Sequence, residues 1–286
     1  MANTISTKTY RDKYRSAILD SLLSRALVSE AIFDKDTSGS KTIQNPYGSQ
    51  PSTTTQAIAG TYNIAEYQTT DDTLTVTDEI VVAEHVFDFE ETLTRFDMFT
   101  NRTMEQGMSL AREADKYALN VILDGANASY STPAGGFGTA ANINVIMSNI
   151  VGKLSGYSDM YKGIFLVLEN SDVPGVIQSQ MASGFSYADS ALNNGLLTKQ
   201  GGVEIYVTRD ATYVDATIGT KTVTNSGHRL AGVKKVATFA MPGGYHFEEK
   251  GVSGKTGMEV VTYAYIGAKA WVTKRDLLID ITIVTS

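Results

Sequence analysis

The feature of this sequence that most constrains its fold is a long stretch of helical periodicity between Asp88 and Asp124. Positions that can face a core recur there near the helical period: Leu93, Phe96, Thr103, Gly107, Leu110, Ala114, Tyr117 and Val121. Asp88 and Glu91 have the spacing of a capping box, although its first residue is usually Ser or Thr, and Asp124-Gly125 is a stop signal. A helix of this span runs roughly 50 Å, which is longer than a compact domain of this size normally needs. The sequence therefore predicts one long helix against which the other elements of the chain pack.

The segment before this helix predicts an arm and a β-hairpin. Tyr10 to Phe33 has apolar residues at helical spacing, which predicts an amphipathic helix. Asp34 to Gln56 is rich in Ser, Thr, Gly, Asn and Pro, and this composition indicates an extended, mobile arm. From Gly60 to Phe89 β-branched and aromatic residues return, and the polar Thr69 to Asp72 suits a hairpin tip. We expect a long two-stranded β-arm here.

The segment after the long helix alternates between helix and strand signals. A Gly-rich stretch precedes a helical stripe that consists of Ile143, Ile146, Ile150 and Leu154. The apolar run from Ile164 to Leu168 predicts a buried strand, and Ser171-Asp172 followed by Pro174 predicts a helix start. Further strands are predicted at 203–207, at 236–240 and within 260–284, with a Thr-rich loop or hairpin at 211–227. The predicted fold class is α+β, with one α/β segment.

Composition excludes several classes of protein. The formal charge of −7 comes from 31 acidic and 24 basic residues, so the molecule as a whole lacks the electrostatic footprint of a tight nucleic-acid binder. The absence of cysteine excludes a disulfide framework, a thiolate zinc site and a cysteine nucleophile. The first residues have no apolar segment of a secretory signal, and no apolar run approaches the ~20 residues of a membrane helix. We therefore expect a soluble protein made in the cytoplasm, without a membrane partner.

Motifs that carry chemistry are incomplete in this sequence. His85, His228 and His246 have no pair at helical spacing and no neighbouring ligand motif, which argues against a metal site. The SGKTG at 253–257 lacks the earlier glycine of a phosphate loop and precedes a strand pattern. The GFSYA at 184–188 lacks the second glycine of a nucleophile elbow. We expect no catalytic, cofactor-binding or metal-binding residues, no cofactor and no enzymatic activity.

Two charge clusters remain to be interpreted. The acidic cluster lacks calcium-loop spacing and is interpreted as a solvated hairpin edge that discourages unwanted strand pairing; it comprises Asp71, Asp72, Asp78, Glu79 and Glu84. The basic concentration lies near the N-terminus and comprises Lys8, Arg11, Lys13 and Arg15. It is either a solvated helix face or a weak contact with DNA or with a neighbouring subunit.

Three local phrases resemble the Hong Kong 97-like major capsid proteins of tailed bacteriophages. DTLTVTDEIVVAEHVFDFEETLTRFDM at 72–98 is similar to the junction between hairpin and spine helix in that family. FSYADSALNNGLLTKQGGVEIYVTRD at 185–210 looks like its axial-domain stretch, and YAYIGAKAWVTKRDLLIDITI at 263–283 looks like its closing strands. The order of the predicted elements is also similar, so the resemblance covers most of the chain.

The resemblance implies a division of the chain and a function. The expected parts are an N-terminal arm with a helix (1–42), an extended hairpin loop (43–87), the spine helix of a peripheral domain (88–130), an axial domain (131–230) and C-terminal strands that complete both domains (231–286). The implied protein self-assembles into hexamers and pentamers, which form an icosahedral head around double-stranded DNA. Expected partners are further copies of the chain, a separate scaffolding protein, a portal and decoration proteins. The expected location is the virion, assembled in the host cytoplasm.

In such a shell the arm and the hairpin lie on neighbouring subunits, because neither buries enough surface to be stable alone. Candidate contacts between subunits are Tyr10, Tyr14, Ile18, Leu22, Tyr62, Tyr67, Asp71 and Asp72. Two other structural roles stay open at this stage: an encapsulin-like nanocompartment shell with the same fold, and a phage tail or adhesin protein suggested by the Thr-rich β segments. The long helix argues against the tail or adhesin alternative.

Overall fold

The computed structural model describes residues 28–48, 69–86, 97–157, 162–182, 196–251 and 258–285. Its helices are α1 (Val28–Ile32), α2 (Asp97–Asp124), α3 (Ala140–Leu154) and α4 (Val173–Ala182), with 3₁₀ helices at Gly136–Gly138, Asn170–Asp172 and Val272–Leu277. The first strands are β1 (Asp34–Asp36), β2 (Thr42–Gly48), β3 (Thr69–Thr75), β4 (Asp78–Val86), β5 (Ala128–Ser131), β6 (Ile164–Glu169), β7 (Leu196–Gln200) and β8 (Val203–Thr208). The later ones are β9 (Asp215–Ile218), β10 (Lys221–Thr224), β11 (His228–Val233), β12 (Ala237–Ala240), β13 (Tyr245–Gly251), β14 (Met258–Ala270) and β15 (Leu278–Thr282).

Helix α2 is the predicted long helix. Its 28 residues run about 42 Å. It ends at Asp124, where Gly125 donates a hydrogen bond to the carbonyl of Ile122 at 3.1 Å, so the predicted stop signal is confirmed. The predicted capping box at Asp88 and Glu91 lies outside the described residues.

One sheet lies against α2 and is organised by the long strand β14. Strands β4 and β13 flank the first part of β14, and β12 pairs with its last four residues, all antiparallel. Strand β1 joins the edge of β12 in parallel. Alternate residues of β14 point toward the helix and are buried: Val260, Thr262, Ala264 and Ile266. Ala264 and Ile266 share one core with Ala114, Tyr117 and Ala118 of α2.

A second sheet has six strands in the order β5-β15-β11-β6-β8-β7. Strands β6 and β8 run parallel, as do β15 and β5, and the other neighbours are antiparallel. Every residue of β6 is buried, which confirms the prediction for the apolar run. The predicted stripe of α3 is fully buried in the same core. The alternation of helices and strands predicted for this segment is confirmed.

The β2–β3 hairpin differs from the sequence-based interpretation. Thr69 to Asp72 lie inside β3, paired with Gly48 to Asn45, so their predicted place at a hairpin tip is wrong. Residues 34–36 and 42–48 pair in β1 and β2, although the composition predicted a mobile arm. Backbone pairing and a small apolar cluster of Ile43, Leu74, Val76, Ala240 and Trp271 hold this region. A few buried apolar positions are enough, because strand pairing satisfies the polar backbone.

The five-part division of the chain stays a prediction. Several strands cross or adjoin its expected boundaries. Strand β11 spans residue 230, where the axial domain was expected to end, and β5 begins at Ala128. Strand β15, near the C-terminus, lies in the same sheet as β6 and β8. The six-stranded sheet is therefore built from three separated stretches of the chain.

Candidate assembly surfaces and the contacts that hold them

Asp72 fixes the β2–β3 hairpin to the end of β14. Its carboxylate is 6% exposed, pairs with the ammonium of Lys269 and accepts a hydrogen bond from the backbone N–H of Val272 at 2.8 Å. Burial alone would raise the pKa of Asp72, but the contacts with Lys269 and Val272 lower it below its ordinary value. The neighbouring Asp71 is exposed. The hairpin is thus anchored by a charged residue that is already engaged within its own chain.

Asp78 joins three elements at the start of β4. It accepts hydrogen bonds from the hydroxyl of Tyr117 in α2 at 2.5 Å and from the backbone N–H of Thr220 at 2.6 Å. Thr220 lies in the turn between β9 and β10, so this carboxylate ties that hairpin to the long helix. Burial raises the pKa of Asp78, yet the hydrogen bonds from Tyr117 and Thr220 lower it overall.

The interpretation of the acidic cluster as a solvated edge is therefore wrong for Asp72 and Asp78. Both are buried, at 6% and 4% exposure, whereas Asp71 and Glu79 are exposed. The buried pair has partners that are remote in sequence, which spacing alone does not reveal.

Asp115 of α2 caps the short helix α1. Its carboxylate accepts hydrogen bonds from the backbone N–H groups of Val28 and Ser29, at 3.1 and 2.9 Å, and from the Ser29 hydroxyl at 2.6 Å. These N–H groups belong to the first turn of α1, where intrahelical partners are lacking. Burial, only partly offset by these hydrogen bonds, raises the pKa of Asp115 to about 6. The start of α1 is therefore held by a carboxyl group whose pKa is well above its ordinary value.

Asp115 is expected to make stability depend on pH in an unusual direction. The pKa of Asp115 is about 6 in the folded chain and near its ordinary value of 3.8 in the unfolded chain. A raised folded pKa contributes stability that is full below the unfolded pKa and is lost as pH rises through about 6. Relative to Asp115→Asn, the free energy of unfolding of the unchanged protein should fall by about 2 to 3 kcal/mol across that window.

Urea unfolding of both proteins at several pH values between 4 and about 7 measures this difference. Asp71→Asn is the matched control, because Asp71 is exposed and lies on β3. A constant difference between the unchanged protein and Asp115→Asn across the window would contradict the assignment.

Arg229 of β11 is the centre of a buried charged group. Its guanidinium contacts the Glu169 carboxylate at 2.8 Å and the Asp172 carboxylate at 2.6 Å, and it lies 5.4 Å from the centre of the Tyr213 ring. Glu169 also accepts the backbone N–H groups of Thr212 and Tyr213, at 2.9 and 3.1 Å. The group joins β6, the 3₁₀ helix at Asn170–Asp172, β11 and the segment before β9.

Within the described ranges no group of three or more His, Cys, Asp and Glu side chains is placed to hold a metal ion. His228 pairs with Asp280 at 2.7 Å, and His246 stacks on Tyr263 with ring centroids 5.1 Å apart. His85 lies in β4. The three histidines therefore lie on three different strands, β4, β11 and β13.

The predicted contact residues of the arm and the hairpin loop are Tyr10, Tyr14, Ile18, Leu22, Tyr62 and Tyr67. The predicted basic contacts are Lys8, Arg11, Lys13 and Arg15. All ten lie outside the described residues, so of the predicted set the structure places Asp71 and Asp72 alone. Their proposed role between subunits stays a prediction.

Sequence reasoning missed an apolar surface on the face of the β4–β14–β13 sheet that points away from α2. We call this surface the outer sheet face; its residues are Glu79, Val81, Ala83, His85, His246, Glu248, Glu259, Val261, Tyr263 and Tyr265. Val81 and Tyr265 are 52% and 43% exposed. Alternation along β14 could have located it, since Val261, Tyr263 and Tyr265 share one parity.

Comparison with solved structures decides the fold. The chain is similar to the capsid of Cyanophage P-SCSP1u, with a TM-score of 0.68, 15% identity, and coverage of 92% of this chain and 89% of that chain. It is similar to the capsid of an empty GTA particle, with a TM-score of 0.65 and 14% identity over 90% of each chain. A virus-like particle from Pyrococcus furiosus gives 0.58 and 10% identity over 95% of this chain and 99% of that chain.

The chain has the Hong Kong 97-like capsid fold. Comparison with protein-family models and with curated proteins gives no match. Because the identities are 15% and below, the capsid fold is set here by the arrangement of elements and not by close sequence similarity. In this fold α2 corresponds to the spine helix expected from the sequence. No helix in the described part of the chain is long and apolar enough to cross a membrane.

Proposed function

We propose that the chain is the major capsid protein of a tailed bacteriophage. In this role it assembles into hexamers and pentamers that form an icosahedral head around double-stranded DNA. The observation that carries the proposal is the capsid fold, matched over about nine tenths of this chain and of the compared capsid chains.

The contacts described above suit a shell subunit. The ion pairs and hydrogen bonds of Asp72, Asp78, Asp115 and Arg229 each join segments that are far apart in sequence, and they give a stiff body from which an arm and a loop can extend. Many modest contacts repeated over a closed symmetric shell give collective stability without one strong pair. The subunit has a structural and not a catalytic role, with no cofactor.

The proposal includes partners. These are a separate scaffolding protein, a portal, decoration proteins and packaged DNA bound without sequence preference. Lys8, Arg11, Lys13 and Arg15 are the candidate basic contacts on the arm. Assembly takes place in the host cytoplasm and the product is the virion.

Electron microscopy of the purified chain, alone and co-expressed with its genomic neighbours, tests the proposal. Closed shells, tubes, or isolated hexamers and pentamers are the expected products. Nuclease-protected DNA inside the shells supports a virion, whereas a protein cargo would support an encapsulin-like shell. A monomer or dimer under all of these conditions would contradict both.

A loop deletion separates folding from assembly. Gly48 and Thr69 stand opposite each other at the end of the β2–β3 ladder, so residues 49–68 close this hairpin. Replacing 49–68 by Asn-Gly supplies a two-residue turn that suits a hairpin. We expect unchanged urea unfolding but a loss of at least tenfold in shell yield, because the loop is the part proposed to lie on a neighbour. Normal shells from this variant would remove the loop from the assembly contacts.

A further inference from the structure

The outer sheet face has the wrong polarity for a permanently solvated surface. Antiparallel sheets with one solvated face usually alternate apolar residues inward with polar residues outward. In β14 this order is reversed at its centre: Thr262 points to the core at 1% exposure, while Val261 and Tyr263 point outward. Because Val81, Val261 and Tyr263 give the outward side an aliphatic and aromatic centre, the sequence is suited to a face that another segment covers.

The register places these outward residues in one continuous patch. Val81 stands opposite Tyr263, and Ala83 stands opposite Val261, so apolar side chains are adjacent on β4 and β14. The rings of Tyr263 and Tyr265 contact each other edge to face at 5.8 Å. The centre of the outer sheet face is therefore an aromatic and aliphatic surface across two strands.

The rim of this surface is acidic. Glu79 stands opposite Tyr265, Glu248 opposite Val261, and Glu259 lies two residues before Val261 on β14. Lys250 on β13 and His85 on β4 both stand opposite Glu259 in the strand register. The carboxylates of Glu79, Glu248 and Glu259 therefore border the apolar centre on the outer sheet face.

The N-terminal segment of the same sequence has the complementary pattern. Lys8, Arg11, Lys13 and Arg15 give residues 8–15 four positive charges against one negative charge, that of Asp12. Tyr10 and Tyr14 are four residues apart, and so are Arg11 and Arg15. At helical spacing this segment would present an aromatic stripe beside a basic one. An apolar centre with an acidic rim would then meet an apolar stripe with a basic border.

We propose that residues 8–15 of a neighbouring copy dock on the outer sheet face. The neighbour is favoured over the same chain because Val28, where the described chain begins, is bound to Asp115 of α2, and α2 covers the opposite side of this sheet. The inference rests on the proposed shell function and adds the surface that receives the arm. The basic arm residues then have a protein partner and do not serve mainly as a DNA contact.

Charge reversal with rescue tests the pairing in assembled particles. The face variant carries Glu79→Lys and Glu259→Lys, and the arm variant carries Arg11→Glu and Arg15→Glu. Glu113→Lys with Asp124→Lys is the matched control, because both residues are exposed on α2. Chymotrypsin cleavage at Tyr10 and Tyr14 reports whether the arm is covered. The unchanged arm should be cleaved at least tenfold more slowly in particles than in the unassembled chain.

The face variant and the arm variant should each raise the rate of cleavage in particles at least tenfold. A combined variant that carries all four substitutions should restore protection of the arm. If a single variant fails to assemble, restored assembly by the combined variant is the readout. Two results would overturn the inference: protection of the arm that is unchanged in the face variant, or protection that is lost when nuclease removes the DNA. In both cases the formation of particles would still support the proposed shell function. Failure of the unchanged chain to form any particle counts against the proposed function itself.

Discussion

Replacing Arg229 by methionine is expected to lower the free energy of unfolding by about 3 to 5 kcal/mol, among the largest effects of any single substitution in this chain. Methionine keeps an unbranched apolar side chain but has no charge, so Glu169 and Asp172 would face each other without their shared cation. The side chains involved are 5%, 11% and 10% exposed, and water cannot replace the guanidinium there. The cost comes from leaving buried carboxylates unpaired more than from losing attraction between charges.

Two controls separate this cause from general damage. In the triple variant Arg229→Met, Glu169→Gln and Asp172→Asn, the amide oxygens can still accept the N–H groups of Thr212 and Tyr213. This variant should recover at least half of the lost stability, because no buried charge remains. Lys199→Met breaks an exposed pair with Glu204, where Lys199 is 63% exposed, and should cost less than about 1 kcal/mol.

The measurement is urea unfolding of the unassembled chain near pH 7, followed by circular dichroism. An Arg229→Met protein as stable as the Lys199→Met protein would mean that the carboxylates find other partners or take up protons at little cost. A triple variant that is no more stable than Arg229→Met would show that packing, and not charge, sets the loss.

The sequence predicted those elements whose signal is local. The stripe of α3 and the apolar run of β6 can be identified because a helix or a buried strand repeats its apolar positions within one segment. The end of α2 at Asp124 follows from the adjacent Gly125. The resemblance to capsid proteins predicted the Hong Kong 97-like fold, and the comparison with solved structures confirmed that fold.

What the sequence could not predict are contacts between remote segments. Asp78 and Thr220 are 142 positions apart, and Asp115 and Ser29 are 86 apart. An aspartate with such a partner looks like any surface aspartate in sequence, which is why Asp72 and Asp78 were assigned to a solvated edge. Composition also gave a wrong prediction for β2, because this strand is held by pairing with β3 and by a single apolar contact of Ile43 with a remote cluster.

Two helical glycines look alike in the sequence but differ in the space that surrounds them in the structure. Gly152 in α3 and Gly175 in α4 both interrupt helical sequence, and a glycine in a helix interior normally costs about 1 kcal/mol relative to alanine. A Cβ atom at Gly152 would have nothing within 4 Å, whereas at Gly175 it would lie 1.9 Å from the carbonyl oxygen of Phe137. The second contact is with backbone, so no rotation of a side chain relieves it.

Gly175→Ala is therefore expected to lower the free energy of unfolding by more than about 3 kcal/mol, beyond the usual range for overpacking. The added methyl group must push α4 away from the 3₁₀ helix at Gly136–Gly138, and both pack on the core of the six-stranded sheet. Gly152→Ala, the matched control, should raise stability by up to about 1 kcal/mol. Urea unfolding of the two variants beside the unchanged chain decides the matter. Equal effects of the two substitutions would mean that α4 does not sit against Phe137 as described, since helix propensity alone treats both glycines alike.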